Sequence, residues 1–447
     1  MNRRLSTAAA AALLALLWAA PGADAVTGVG RAHGFVPHQL LVKFEGESPR
    51  TVDLPSQVGV RAAAASLGRS PSVAYAVPDY VATASATRSS AGRVIPNDTG
   101  TIEPPPGPPG GWVEKQWNFL PWEASTSPLL PASLGGIDAP AAWAHLAAAG
   151  RPGAEGVTVA VLDTGIAYRP LGRRFRRSPD FTANQFVKGY DFVDHDRVPL
   201  DENGHGTHVA GTIAEKTNNG IGLTGLAFRA KLMPVRVLDR EGRGRADDIA
   251  RGIRFAVTHG ADVINMSFNF GCGREVPSVD EALQEAYDRG VVTIASVGNL
   301  GSETCVSAPA TSPHVIGVGG STQGGCVGDY SLAGEGVDVL APGGGIPTSG
   351  CPSVLSGPIY QVTLRDGSTR RFGEPSDYVG TSMAAAHVSG VAAMVLAGGT
   401  LSPKLKDRAK VAAVTKRLLQ TTRDLGLPST RQGTGLIDAG AATSPSG

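Results

Sequence analysis

From residue 157 to residue 296 the chain alternates short apolar, β-branched runs with helix-spaced stripes, and that alternation leaves few folds open. Val157-Thr158-Val159-Ala160-Val161-Leu162 is the first run. Its near-continuous apolar character suits a strand covered on both faces, not one half turned to water. Segment 247–259 places Ile249, Ile253, Ala256 and Val257 on one helical stripe. Val263-Ile264-Asn265-Met266 predicts the next strand, 279–289 a second helix and 291–295 another strand. Strands joined through helices pair in parallel, because only a crossover of that length returns the chain to the same sheet edge. The fold class is therefore α/β, a mostly parallel sheet with helices on both faces. The 59 glycines among 447 residues suit tight strand–helix turns.

Three short segments carry chemistry. Asp163-Thr164-Gly165 stands at the C-terminal end of the first strand, where open α/β sheets place their sites. Asn203-Gly204-His205-Gly206-Thr207-His208 opens a stretch rich in small residues that can enter a helix. Gly380-Thr381-Ser382-Met383-Ala384 begins an apolar helical stretch, so Ser382 falls at a helix N-terminus, where negative charge is favoured. A serine hydroxyl needs a base within hydrogen-bond reach to attack a carbonyl. Histidine fits that task near neutral pH, and a carboxylate behind the ring fixes its tautomer. His205 and His208 do not read as a metal pair, since zinc sites need a third ligand and usually a helical spacing of four. His208 reads as a structural partner of the His205 turn.

In the order Asp, His, Ser, these segments resemble the catalytic triad of the subtilisin-like serine proteases (subtilases). The resemblance extends from Trp117 to Gly433-Thr434-Gly435-Leu436-Ile437-Asp438-Ala439. It implies a subtilisin-like catalytic domain at 132–447 that hydrolyses peptide bonds through an acyl-enzyme. Ser382 would be the nucleophile, His205 the general base and then acid, and Asp163 the orienting carboxylate. Asn299, ending Ser296-Val297-Gly298-Asn299, matches the family's oxyanion-hole asparagine, with the Ser382 N–H as second donor. Ser267, Phe268 and Asn269 match one wall of the substrate pocket; Ser296, Val297 and Gly298 match the other. Asn269 and Phe270 stand where glycines are usual, which predicts a narrower or reshaped pocket. Ala386 replaces the usual proline. Calcium is implied as a structural ion, with Asp180, Thr217, Asn219, Ile221 and Leu223 at positions that match one site.

The resemblance also implies a small α+β pro-segment at 26–92, an intramolecular inhibitor removed by the enzyme. Its first strand is His38-Gln39-Leu40-Leu41-Val42-Lys43-Phe44. Its last is 73–81, where Pro78 should confine the strand to an edge or end it early. The middle of the family pattern is not legible. Ahead of it, Arg3, Arg4, an apolar run over 8–20 and Ala23-Asp24-Ala25 read as a secretory signal at 1–25. Residues 93–131 are a linker and N-terminal arm, rich in proline and glycine around 104–111; Trp117 and Trp122 should dock on the catalytic domain.

Net charge is +1, so neither nucleic acid nor an acidic surface is implied as a partner. Arg173, Arg174, Arg176 and Arg177 make one local basic run, read as a solvated loop or a processing site. Segment 361–372, with Asp366-Gly367 at its centre, predicts an inserted hairpin just before Ser382. The expected partners are polypeptide substrates and the pro-segment, with no membrane after signal cleavage, in a secreted monomer. Four cysteines in a secreted chain favour disulfides, and three pairings exist. Cys272–Cys305 with Cys326–Cys351 is preferred, because the first bridge would brace the pocket walls. Two other readings stand beside the endopeptidase: a dedicated processing protease or transpeptidase, and a catalytically silent protein-binding fold.

Overall fold

The computed structural model describes residues 35–84, 87–88, 102, 110–123, 130–301 and 305–445. The secretory signal lies outside the described residues, as does most of the proline-rich linker.

Seven parallel strands form the central sheet. To number them in chain order the pro-segment comes first: β1 (Phe35–Phe44), β2 (Arg50–Asp53), α1 (Val60–Leu67) and β3 (Val73–Ala84). The catalytic region supplies β4 (Thr158–Asp163), β5 (Tyr190–Asp191), α2 (His205–Ala214), β6 (Lys231–Arg236), β7 (Arg243–Arg245) and α3 (Ala246–Thr258). Then come β8 (Val263–Met266), β9 (Phe268–Asn269), α4 (Pro277–Asp288), β10 (Val292–Ser296), β11 (Val315–Ser321) and β12 (Val339–Pro342). A hairpin β13 (Thr363–Arg365) and β14 (Ser368–Gly373), a short β15 (Tyr378–Val379) and α5 (Thr381–Ala397) complete the part that matters here. The sheet order is β12-β11-β10-β8-β4-β6-β5.

The continuous apolar runs are explained by two cores, one on each face. Val159, Val161, Val263, Val292 and Ile294 face the core built with α2 and α5. Ala160, Leu162, Ile264 and Ala295 face the core built with α3 and α4. Successive side chains point to opposite faces, and here both faces are covered. Leu162 and Ile264 are fully buried; each such side chain contributes about 1.5–3 kcal/mol relative to exposure.

The segment read as a pro-segment holds more structure than its sequence suggested. β2 and the eight-residue α1 supply the middle that was not legible, and α1 packs Val60, Ala63, Ala64 and Leu67 beneath the sheet. Pro78 does not end the last strand, which runs unbroken from Val73 to Ala84. Pro78 pairs with Leu40 on one side, and the partners on the other side of β3 begin only at Val81. The missing N–H therefore breaks no ladder between two neighbours.

Beyond Pro78 this strand leaves its own domain. Val81, Ala82 and Thr83 pair antiparallel with Arg245, Gly244 and Arg243 of β7. Thr83 and Ala84 pair antiparallel with Asn269 and Phe268 of β9. The strand thus fills the gap between the edges offered by β7 and β9. Asp79, fully buried, anchors it by accepting from Arg245 Nε at 2.9 Å, while Arg245 Nη2 lies 2.8 Å from the same carboxylate and donates to Gln39 Oε1 at 2.8 Å.

Two disulfides link Cys272 to Cys305 and Cys326 to Cys351. The inserted hairpin forms where the Asp366-Gly367 turn placed it.

Candidate active site

Asp163 ends β4, and His205 opens α2. The helix can approach because Gly206 carries no side chain: a Cβ there would lie 2.2 Å from the Gly165 carbonyl oxygen and 3.1 Å from Asp163 Oδ1. His205 Nδ1 accordingly meets Asp163 Oδ1 at 2.8 Å. Its other nitrogen, Nε2, has no hydrogen-bond partner. Burial pushes the imidazole pKa down, but the charge and hydrogen bond of Asp163 outweigh it, so the net shift is upward.

One residue that organises this pair was missed. Asp201 is buried and accepts from Thr164 Oγ1 (2.9 Å), the backbone of Asn203 (2.8 Å) and Gly204 (2.9 Å), and both Thr207 N (3.0 Å) and Oγ1 (2.6 Å). It thereby ties the turn after Asp163 to the first turn of α2. The only sequence signal was a carboxylate four residues before a catalytic-type histidine.

Ser382 is the second residue of α5. Its backbone N–H has no carbonyl one turn back within the helix to receive it. Its Oγ donates to the Ser267 carbonyl at 3.0 Å, and Ser267 Oγ donates back to the Ser382 carbonyl at 2.9 Å. Behind them Ser389 Oγ donates to Asn265 Oδ1 and Asn265 Nδ2 donates to Ser267 Oγ, both at 2.9 Å. Ser382, Ser267, Asn265 and Ser389 are all fully buried.

Asn299 follows β10. Its Oδ1 accepts from Thr381 N at 2.9 Å and Thr381 Oγ1 at 2.8 Å. Both donors come from the residue before Ser382, and together they fix the amide plane. The opposite end, Nδ2, is buried with no partner. A buried donor left unpaired costs about 1–3 kcal/mol, so this N–H is free for an acceptor supplied from outside the chain.

The pocket residues line the same cleft. Ser296 Oγ reaches the Phe268 carbonyl at 3.4 Å, Val297 is buried, and Gly298 N donates to Thr381 Oγ1 at 3.3 Å. Phe270 turns inward, 3% exposed, edge-on to Phe268, and Asn269 Oδ1 folds back to accept from Gly271 N at 3.1 Å. The Cys272–Cys305 bridge lies behind this wall, where Phe270 N donates to Ala308 O at 2.9 Å and Ser307 N to Val297 O at 3.1 Å. Ala386 is buried within α5 and interrupts nothing.

His208 takes a structural place. Its Nε2 donates to the Ile359 carbonyl at 2.8 Å, its ring stacks on Tyr378 at 4.1 Å, and burial pushes its pKa down to about 3. His387, within α5, donates from Nδ1 to the Met383 carbonyl at 2.7 Å. Asn118 meets its Nε2 at 2.8 Å, so the N-terminal arm packs against the nucleophile helix. Trp117 Nε1 donates to the Pro358 carbonyl at 3.0 Å and Trp122 Nε1 to Asp438 at 3.1 Å.

A carboxylate, imidazole and hydroxyl at strand and helix ends, beside an unpaired amide and an edge strand, can bind an extended polypeptide and transfer its acyl group. The model of the subtilase family matches residues 154–435. The chain belongs to the subtilase family. Its relatives include a thermophilic serine proteinase of Bacillus sp. strain AK1, 38% identical over 55% of this chain and 54% of its own length. Thermitase of Thermoactinomyces vulgaris is 34% identical over 60% of this chain and 83% of its own length. A protease of Pseudoalteromonas arctica shares the fold with a TM-score of 0.55 and 32% identity, over 69% of this chain and 94% of its own. The chain thus spans about half the length of the Bacillus relative and most of thermitase.

The predicted calcium positions gather on one loop around Asp180. Leu223 N donates to Asp180 Oδ2 at 2.8 Å, Asn219 Nδ2 donates to Asp180 Oδ1, and Ile221 N donates to Asn219 Oδ1 at 3.2 Å. Thr217 instead pairs its hydroxyl with that of Thr224. Gly222 is required here: a Cβ would sit 2.0 Å from Asp180 Oδ2. Beside this loop the fully buried Glu215 leaves Oε1 without a partner. Among the described residues no three histidine, cysteine, aspartate or glutamate side chains converge as a metal cluster.

Proposed function

We propose that the chain is the precursor of a secreted serine endopeptidase whose pro-segment blocks its own cleft. The observation that carries this reading is the pairing of β3 with β9: an extended polypeptide already lies antiparallel along the wall that leads to Ser382. Backbone pairing of that kind gives affinity without regard to side chains.

The chemistry follows from the groups present. A substrate takes the place of β3 and brings its carbonyl to Ser382. Rotation about one side-chain bond takes Oγ from the Ser267 carbonyl toward His205 Nε2, which accepts the proton as the C–O bond forms. Asp163 holds Nδ1–H and steadies the imidazolium. The oxyanion takes hydrogen bonds from Asn299 Nδ2 and the Ser382 N–H, an interaction made fully only in the transition state. His205 then protonates the departing amine. Water, deprotonated by the same ring, releases the acyl group.

Maturation uses the same site. Thr83 and Ala84 pair with β9, and the next described residues, Thr87 and Arg88, pair with Val379 and Tyr378, just before Ser382. Self-cleavage therefore falls on one of the three bonds between Ala84 and Thr87. This is upstream of residue 92, where the sequence placed the end of the pro-segment.

Calcium is proposed as a structural ion at the Asp180 loop. Asp180, the Asn219 amide oxygen and the carbonyls of Thr217, Ile221 and Leu223 would hold it, with the Asn219 amide turned about. Oxygen donors suit this cation, which would supply only local rigidity.

The activity reading is tested by a fluorophosphonate probe on the secreted protein. A mass increment on the peptide containing Ser382, lost in Ser382→Ala and strongly slowed in His205→Ala, is expected. Equal labelling of Ser382 in wild type and His205→Ala would sink the assigned roles.

A further inference from the structure

Two sequence features stand apart from the triad: the basic run at 173–177 and the inserted hairpin β13–β14. The fold brings them together. Arg176 N donates to the Thr369 carbonyl at 3.1 Å, and Thr369 Oγ1 donates to the Arg174 carbonyl at 2.6 Å. Arg173, Arg174, Arg176 and Arg177 are exposed, as are Arg365, Arg370 and Arg371 on the hairpin. Only part of this charge is answered. Arg174 pairs with Glu202, and Arg365 (3.4 Å) and Arg371 (3.7 Å) share Asp366.

Direction places this surface relative to the cleft. Thr87 pairs with Val379 and Arg88 with Tyr378, antiparallel, so a chain leaving the scissile bond runs back along β15 toward the end of β14. The hairpin is also rooted beside the catalytic histidine, where Thr363 Oγ1 donates to the Gly204 carbonyl. Segment 173–177 is held against the outer arm of that hairpin. The arginines thus border the path of the leaving-group half of a substrate, and what travels that path is polypeptide.

We propose that the hairpin and the 173–177 run form one basic surface that receives acidic residues of the substrate, several positions beyond the scissile bond on its C-terminal side. The inference rests on the endopeptidase reading and adds a specificity to it. The chain's own segment after the cut is a poor occupant: it carries Arg88 and Arg93 before its first carboxylate, Asp98. Like charges would speed its departure once the bond is cut, leaving the surface open to acidic substrates.

The test uses the mature secreted enzyme and three fluorogenic peptides. They share the sequence through the second residue after the scissile bond and then carry aspartates, serines or lysines over the next five positions. Two or three exposed ion pairs together support a roughly tenfold higher kcat/KM for the aspartate peptide over the lysine peptide at low ionic strength. That ratio should shrink as salt is raised. In the variant carrying both Arg177→Glu and Arg370→Glu the ratio should fall to about one or below. Its melting temperature, measured beside wild type, shows whether it is folded, and Arg177→Ser with Arg370→Ser provides a milder pair. Equal kcat/KM for the three peptides, or a preference that the variants leave unmoved, overturns the proposal. So does a salt-sensitive inhibition by heparin or duplex DNA, lost in the variants, without any peptide charge preference. No turnover of the serine peptide by wild type would fail the endopeptidase reading instead.

Discussion

Replacing Thr381 by valine removes a hydroxyl that touches neither substrate nor triad, yet it should slow the chemical step. Thr381 Oγ1 is one of two donors that pin Asn299 Oδ1, at 2.8 Å, the other being the Thr381 N–H at 2.9 Å. The hydroxyl also accepts from Gly298 N at 3.3 Å. Valine keeps the shape and the backbone donor but loses both hydroxyl contacts. A typical buried hydrogen bond contributes about 1 kcal/mol net, and the orphaned Gly298 N–H adds a comparable penalty. With one tether the amide can swing, and Nδ2 is no longer held where the oxyanion forms. Losing that donor outright costs roughly 10²–10³ in kcat. Losing half of its support should cost about 5- to 30-fold, some 1–2 kcal/mol. The loss should fall on kcat with KM nearly unchanged, because the contact is made in the transition state. Thr381→Ser should recover most of it. Steady-state kinetics on a fluorogenic peptide decide the matter. A Thr381→Val enzyme with wild-type kcat, or one whose defect lies wholly in KM, would refute the view that Asn299 acts through a fixed amide.

Further outcomes follow from the same contacts. His205 must be neutral to accept the serine proton; its pKa is raised because Asp163 outweighs burial. The acid limb of kcat/KM should therefore lie above the ordinary histidine value of about 6.5, and Asp163→Asn should move it down. Asp201→Asn loses acceptors for donors from three segments and should cost about 2–3 kcal/mol in thermal or denaturant unfolding, with a drop in kcat. Asp79→Ala removes a charge-assisted hydrogen bond and an ion pair with Arg245 and should weaken pro-segment retention after cleavage roughly tenfold to hundredfold, read as faster appearance of active enzyme. Chelator should lower the melting temperature of the mature enzyme, and added calcium should restore it; an unchanged value would remove the ion at Asp180.

Much of this was legible in the chain because it is local. β8 was read to the residue, and β4 and β10 to within one or two, since each is a continuous apolar run between turn residues. The place of Ser382 at a helix N-terminus was legible from the apolar helical stretch that follows it. What escaped depends on distant partners. Pro78 read as marking a sheet edge or a strand end, and the strand continues past it because β7 and β9, some 160 to 190 residues away, offer edges only after it. Asn269 and Phe270 read as reshaping the pocket, and sequence does not say which way a loop turns its side chains; the core took Phe270 and a local turn took Asn269. Asp201 drew no notice, as a carboxylate's role lies in which donors surround it. The basic run reads as a solvated loop or a processing site, because nothing in the sequence shows that Thr369 holds it to the hairpin.

The central claim is that Ser382 cuts a peptide bond presented by the chain's own strand. Intact mass of the secreted protein, wild type beside Ser382→Ala, addresses it directly. The account predicts that wild type loses everything before residue 85, 86 or 87, while the variant keeps its pro-segment. If both keep the pro-segment, or if both lose it at the same bond, Ser382 is not the agent and the account fails.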